Sequence, residues 1–153
     1  MNKTDKTIMK GHIKIELFDE KGNLKQTVEK SNTFMTVGKY HVADALAGTV
    51  NEAKMGWMAI GTGSTAFSVA STTLNSALDR NALASGYPEQ PSSTSANVKY
   101  KATWAAGDGT GAIKEAGIFN SSGAGTMLAA STFSVINKGA SDTLTILWTV
   151  TVG

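Results

Sequence analysis

Apolar and polar residues alternate at every second position near both ends of the chain. Near the N-terminus, the apolar face carries Met9, Gly11, Ile13, Ile15 and Leu17. Near the C-terminus, the apolar face carries Leu144, Ile146, Trp148, Val150 and Val152, and threonine fills most of the positions between them. A period of two is typical of strands with one buried and one exposed face. The pattern therefore predicts a half-buried strand at each end.

Further strand patterns are separated by turns rich in glycine, asparagine and aspartate. The predicted strands are 24–30, 56–61, 98–104, 112–119, 127–136 and 143–152. The first of these follows the turn at 19–23 and closes an N-terminal hairpin. Many short strands at this spacing favour an antiparallel β-sandwich or barrel. We predict an all-β fold, a jelly-roll-like sandwich.

One segment, 36–48, has the pattern of a short helix. Thr36 is the expected N-cap and Gly48 the expected end, while Gly38 lowers the helix propensity. The apolar stripe is formed by Val37, Tyr40, Ala43, Leu46 and Ala47. We divide the chain into an N-terminal arm and hairpin, 1–31, and a sandwich domain, 32–153. Together they are expected to form one compact unit, because strands after the proline-containing stretch 87–96 need partners from before it.

Composition and charge narrow the possible functions. The chain has 153 residues, a formal net charge of +2 and no cysteine, which excludes disulfides and thiolate chemistry. Arg80 is the one arginine, so the arginine clusters typical of nucleic-acid readers are absent. No apolar run approaches the roughly 18 residues of a membrane span. We expect neither nucleic acid nor a membrane as a partner.

Half of the positive charge lies in the first fifth of the chain. The lysines among residues 1–30 are Lys3, Lys6, Lys10, Lys14, Lys21, Lys25 and Lys30. Lysine on edge strands commonly prevents aggregation. The alternative is an electrostatic contact with an acidic partner. The candidate partner-binding residues are Lys3, Lys6, Lys10 and Lys14.

No residue pattern indicates catalysis. His12 and His41 are the two imidazoles, and neither accompanies a Gly-x-Ser-x-Gly elbow. Metal-ligand spacings are missing, and the glycines at 61–63 and 107–111 fit hairpin turns better than phosphate loops. We therefore predict that the protein is not an enzyme and has no metal or cofactor. Trp104 and Trp148 lie on apolar faces, which favours core packing over ligand binding.

Arg80 and Glu115 each lie among small and apolar residues. A lone buried charge is unfavourable, so each needs a partner. Two arrangements remain open: the two side chains meet, or loop backbone satisfies each of them.

Several stretches together resemble a pattern found in tailed-bacteriophage virion proteins. They are Trp57–Gly63, then Thr73-Leu74 and Arg80, then Ile113–Phe119, Gly125–Ala129, Ile136–Lys138 and Asp142–Val150. The resemblance spans roughly 32–152 and carries no catalytic residues. It implies a virion structural protein, first a capsid decoration (cement) protein that binds major capsid subunits and stabilises the shell. The alternative is a tail, collar or fibre-associated protein, such as a glycan-binding adhesin with Trp57 or Tyr87 as stacking residues.

The same resemblance implies a location and an assembly state. The protein would be made in the host cytoplasm and end in the virion, in contact with the major capsid protein or other virion subunits. By analogy with small decoration proteins, a homo-oligomer, dimer or trimer, is expected.

Overall fold

A computed structural model describes residues 9–49 and 53–153. The elements are β1 Met9–Phe18, β2 Leu24–Ser31, β3 Thr33–Phe34, α1 Thr36–Ala47, β4 Trp57–Gly61, β5 Ala77–Ala82, β6 Asn97–Trp104, β7 Gly111–Phe119, β8 Met127–Lys138 and β9 Thr143–Val152. The strands form two antiparallel sheets, and the described part contains one short helix. The predicted all-β sandwich with a single short helix is confirmed.

The two sheets have different strand orders. The four-stranded sheet has the order β2-β1-β9-β6, and the five-stranded sheet has the order β3-β8-β7-β4-β5. The hairpin expected within residues 1–31 is present, and its first strand lies between β2 and β9. The hairpin is therefore built into the same sandwich as residues 32–153. Residues 1–8 of the expected arm lie outside the described residues.

The main core fills the space between the sheets. From the four-stranded sheet it includes Ile13, Ile15, Leu17, Tyr100, Trp104, Leu144, Ile146 and Trp148. From the five-stranded sheet it includes Met58, Ile60, Ile113, Ile118 and Ile136. Trp104 and Trp148 are completely buried, as predicted. Full burial of one aliphatic side chain of this core, such as Ile13, stabilises the fold by about 1.5–3 kcal/mol.

A second apolar cluster lies on the outer face of the five-stranded sheet. Its buried members are Met35, Ala59, Leu74, Phe119, Met127 and Ala130, and Val37, Trp57 and Phe67 pack against them. The start of α1 and the segment 62–76, which joins β4 to β5, cover this face. The five-stranded sheet therefore has apolar contacts on both faces.

The predicted cap of the helix is wrong by one residue. Met35 is the N-cap, without a side-chain hydrogen bond, and Thr36 is the first helical residue. Met35 is instead fixed by its burial and by the hydrogen bond from its N–H to Leu128 O at 3.0 Å. Tertiary contacts thus set the start of the helix. Gly48 ends it in the left-handed conformation with φ 68°, as predicted.

Gly38 explains how the helix approaches the sheet. A Cβ at this position would lie 2.5 Å from Leu128 O on β8. The glycine lowers helix propensity, but it allows the helix backbone to touch a strand backbone.

The chain crosses between the sheets at Asn32. Trp148 Nε1 donates a hydrogen bond to Asn32 Oδ1 at 2.9 Å. The amide lies over Gly11, where a Cβ would be only 1.5 Å from that oxygen. Gly11 in the predicted apolar face therefore makes room for a polar contact at the end of the core.

Candidate functional site

The segment 62–76 is held on the five-stranded sheet by one buried carboxylate. Glu115 lies on β7 opposite Gly61 of β4 and is completely buried. Its Oε1 accepts the N–H of Ser76 at 2.7 Å and that of Gly63 at 3.3 Å. Its Oε2 accepts both the backbone N–H and the side-chain amide of Asn75, each at 3.0 Å. Four donors meet the acceptor capacity of an ionised carboxylate.

The glycines around this carboxylate provide the space it needs. A Cβ at Gly61 would lie 2.4 Å from Glu115 Oε1 and 2.4 Å from Ser76 O. A Cβ at Gly63 would lie 2.9 Å from the same carboxylate oxygen. Because Gly61 and Gly63 have no side chain, the end of β4 leaves the space that the Glu115 carboxylate occupies.

Arg80 holds a second loop, the β7–β8 connection at 120–126. Its Nη1 donates to the carbonyl oxygens of Ser121 at 2.9 Å, Ala124 at 3.0 Å and Gly123. The guanidinium carbon lies 3.7 Å from the ring centroid of Phe119, in cation–π geometry. Partial burial of the group lowers the pKa of Arg80.

Arg80 and Glu115 lie on the same face of the five-stranded sheet. Arg80 is opposite Ala59 on β4, and Glu115 is opposite Gly61, two residues further along that strand. Loop backbone satisfies each charge, which is the second of the two arrangements left open by the sequence. The pair therefore holds two different loops on one face.

A cleft of about 270 Å³ lies beside Arg80. It is lined by Thr72, Thr73, Arg80, Phe119, Ala124 and Gly125. Hydroxyl groups, an aromatic ring and a cation therefore border one concave space.

Trp57 and Tyr87, the two residues considered for stacking on sugars, are both half-buried. Trp57 packs against the outer apolar cluster of the five-stranded sheet. Tyr87 lies in the connection between β5 and β6, and its N–H bonds to Ala84 O. Neither residue lines the cleft described above.

Neither imidazole lines the cleft. His12 is exposed on β1, with Nε2 3.1 Å from Glu29 Oε1, and His41 lies on α1. Within residues 9–49 and 53–153, no group of three or more His, Asp or Glu is arranged to hold a metal ion. In the same ranges, no helix is long and apolar enough to cross a membrane.

Two of the four lysines proposed as partner contacts lie within the described residues. Lys10 and Lys14 are exposed on the outer face of the four-stranded sheet, and Lys3 and Lys6 lie outside the described residues. The structure adds Lys99 and Lys101, which β6 places on the same outer face. In the sequence 98–104, both lysines alternate with apolar residues, which indicates a polar face for them. What the sequence did not show is that β1 and β6 both pair with β9.

A buried lysine and a nearby ion pair were also missed. Lys138 is completely buried, and its Nζ donates to Ala105 O at 3.0 Å. Burial lowers the pKa of Lys138, and nearby carboxylates, Asp142 foremost, oppose this shift. Lys25 Nζ donates to Asp142 Oδ2 at 2.9 Å, which joins β2 to the β8–β9 turn. Lys138 is the last residue of β8, and nothing in the sequence pattern of that strand indicates that its side chain is buried.

The residues with the clearest geometry therefore organise loops and join strands. Glu115 and Arg80 position two loops, and the exposed lysines form part of a sheet surface. No protein-family model matches this chain, and no curated protein or solved structure matches it.

Proposed function

We propose that this chain is a structural protein of a tailed-bacteriophage virion, a capsid decoration protein that binds major capsid subunits and stabilises the shell. One observation carries the proposal. Many of the residues behind the resemblance, those in 57–63, 73–74, 80, 113–119 and 125–129, lie together on the five-stranded sheet, and their contacts hold loops in place. They include Gly61, Gly63, Leu74, Arg80, Glu115, Gly117, Phe119 and Met127. A layer whose contacts hold loops in place fits a protein with a structural role.

The energetics of this layer support the same function. A protein repeated over a shell has to keep its loops in one conformation at every copy. The buried, fully hydrogen-bonded Glu115 and the carbonyl-bound Arg80 fix two loops on a rigid sheet. Loops fixed in advance lose less conformational entropy when they contact a neighbouring subunit.

A second candidate is a tail, collar or fibre-associated protein that binds glycans. The cleft beside Arg80 favours it, because the hydroxyl groups of Thr72 and Thr73 and the guanidinium of Arg80 line one concave space. Groups of this kind can form hydrogen bonds with the hydroxyl groups of a sugar. In this alternative the same fixed loops shape a binding cleft.

The test is cryo-electron microscopy of virions assembled with and without the gene for this chain. Density on the capsid lattice that is lost without the gene is the expected result. Density only at the tail or collar would refute capsid decoration and favour the second candidate. Deletion of residues 1–31 would not replace this comparison, because it removes both β1 and β2 from the four-stranded sheet.

Assembly state is part of the proposal and has its own measurement. A decoration protein at a symmetry axis of the shell is expected as a dimer or trimer, either in solution or on the particle. Light scattering after size exclusion gives the mass in solution, and the local symmetry of the density gives the state on the particle. A single copy with no neighbour of its own kind would refute the proposed oligomer.

A further inference from the structure

The two sheets differ in what covers their outer faces. The outer face of the five-stranded sheet is covered by α1 and by segment 62–76. The outer face of the four-stranded sheet carries mostly polar side chains that are exposed or half-buried. Within residues 9–49 and 53–153, the outer face of the four-stranded sheet is therefore the less covered of the two.

Four lysines gather on this outer face from distant parts of the sequence. Lys14 on β1 and Lys101 on β6 are both opposite Leu147 of β9. Lys10 and Lys99 lie on the same two strands. Because β1 and β6 flank β9, the two lysine columns are separated by two strand spacings, about 9.6 Å. We call Lys10, Lys14, Lys99, Lys101 and the β9 strip between them the lysine face.

The strip between the two columns is uncharged. It consists of Thr145, Leu147, Thr149 and Thr151, all half-buried. Threonine and leucine have few side-chain rotamers to lose, so they cost little conformational entropy when covered. The centre of a protein interface is depleted of charged residues, and its rim is polar, so an uncharged strip flanked by lysines fits this arrangement.

Three acids share this side of the sheet. Glu29 on the edge strand β2 is directly opposite Lys14 and lies 3.1 Å from His12, and Glu89 pairs with Lys99 beyond the edge of β6. Glu16 follows Lys14 on β1, between threonines on the neighbouring strands. Two acids therefore lie at the rim and one lies on β1, while the centre is flanked by Lys14 and Lys101.

We propose that the lysine face docks on an acidic surface of a partner protein, with carboxylates of the partner opposite Lys14 and Lys101. This rests on the proposed function, in which the partner is a virion subunit. Four strands at about 4.8 Å and eight residues at about 3.4 Å give a flat area on the order of 500 Å². This is less than the roughly 800 Å² that one partner contributes to a standard interface and falls in the range of weaker interfaces, which bury less than about 600 Å² on each partner.

Charge and shape favour protein over nucleic acid. A phosphate chain is commonly bound by arginines and by aromatic residues on which bases stack. The lysine face carries neither, and Glu29 and Glu89 at its rim repel a phosphate backbone. On a folded partner protein, carboxylates can lie opposite the lysines and away from Glu29 and Glu89.

The test uses immobilised poly-L-glutamate as the carboxylate probe and virus shells that lack this protein as the assembled target. The variant is Lys14→Glu with Lys101→Glu. Its matched control is Lys39→Glu with Lys54→Glu, which changes the net charge equally at exposed positions elsewhere. Lys14→Gln with Lys101→Gln, checked by thermal melting, separates loss of charge from loss of fold.

We expect the Lys14/Lys101 reversal to weaken binding to both targets at least about tenfold, and the control to change it less than about threefold. Equal weakening by both pairs would overturn the lysine face, as would shells that bind wild type and reversal equally well. Binding to duplex DNA without binding to poly-L-glutamate would overturn it in favour of nucleic acid. Wild type that binds poly-L-glutamate through this face but does not bind the shells would support the face and refute the proposed function.

Discussion

Glu115 Oε1 accepts the backbone N–H of Ser76 at 2.7 Å, although the two residues are 39 positions apart. The contact joins an interior strand of the five-stranded sheet to the segment that covers it. Because four donors converge on one buried carboxylate, the covering segment has a single favourable position. A network in which every member is satisfied specifies one arrangement, whereas a half-satisfied one is strongly unfavourable.

Replacing Glu115 with glutamine tests this network. The change keeps the shape but places an amide donor where N–H groups already point. We expect the free energy of unfolding to fall by about 2–4 kcal/mol in urea titrations at neutral pH. Glu20→Gln in the exposed β1–β2 turn is the control, with an expected change within about 0.5 kcal/mol. Equal stability of the two variants would show that Glu115 does not fix the covering segment.

Gly61 should not accept a side chain. In Gly61→Ala, the new methyl group would overlap both Glu115 Oε1 and the Ser76 carbonyl. We expect a loss of about 1–3 kcal/mol in unfolding free energy. Gly123→Ala is the control, since no atom lies within 4 Å of its added Cβ, and its effect should stay below about 1 kcal/mol.

A double-mutant cycle then shows whether the two residues act through each other. If the glycine exists to admit the carboxylate, Gly61→Ala together with Glu115→Ala, which removes the overlapping oxygen, should cost less than the sum of the two single changes. Simple additivity would mean that the Ser76 carbonyl alone excludes the methyl group.

Arg80 is expected to control the order of the β7–β8 loop. Arg80→Lys keeps the charge but loses the planar group that reaches three carbonyl oxygens and stacks on Phe119. Hydrogen exchange of amides in 120–126 should become faster, while exchange in 62–76 should change little. Faster exchange across both segments would instead indicate general destabilisation of the sheet.

The strands were predictable because their sequence carries the information locally. The apolar residues of β9 occupy every second position, and each of Leu144, Ile146, Trp148 and Val150 is buried. The start of α1 was misplaced because burial of Met35 and its bond to Leu128 O outweigh the capping preference of Thr36. The alternation of apolar and polar residues predicts a strand well where one face of that strand is buried. It predicts the first and last residues of a helix or strand poorly where a contact with a distant residue fixes them.

The candidate site was only partly predictable for a similar reason. A charged residue among small neighbours, such as Glu115, indicates that a partner exists. The identity of that partner depends on which loop crosses the sheet. In the same way, Lys99 and Lys101 were recognisable as polar-face residues, but only the pairing of β6 and β1 with β9 unites them with Lys14.

Acid should weaken the protein through the contact between Asp142 and Lys25. The hydrogen bond from Lys25 Nζ, together with that from the Gly139 N–H, holds the pKa of Asp142 below its usual value. The pKa of Asp19 is lowered in the same direction, chiefly by its hydrogen bond from the Asn23 backbone N–H. Both carboxylates therefore release their protons more readily in the folded chain than in the unfolded chain.

The sign of the pH dependence follows from these shifts. A carboxylate with a lowered folded-state pKa contributes stability that is complete above its unfolded pKa of about 3.9 and is lost as the pH falls through the folded value. In urea titrations from pH 7 to pH 2, Asp142→Asn should therefore be less stable than wild type at neutral pH. The difference in unfolding free energy between the two proteins should narrow below about pH 4, because the Asp142 carboxylate of the wild type is then protonated as well. A difference that stays constant down to pH 2 would mean that the shape of Asp142, and not its ionisation, holds the β8–β9 turn against β2.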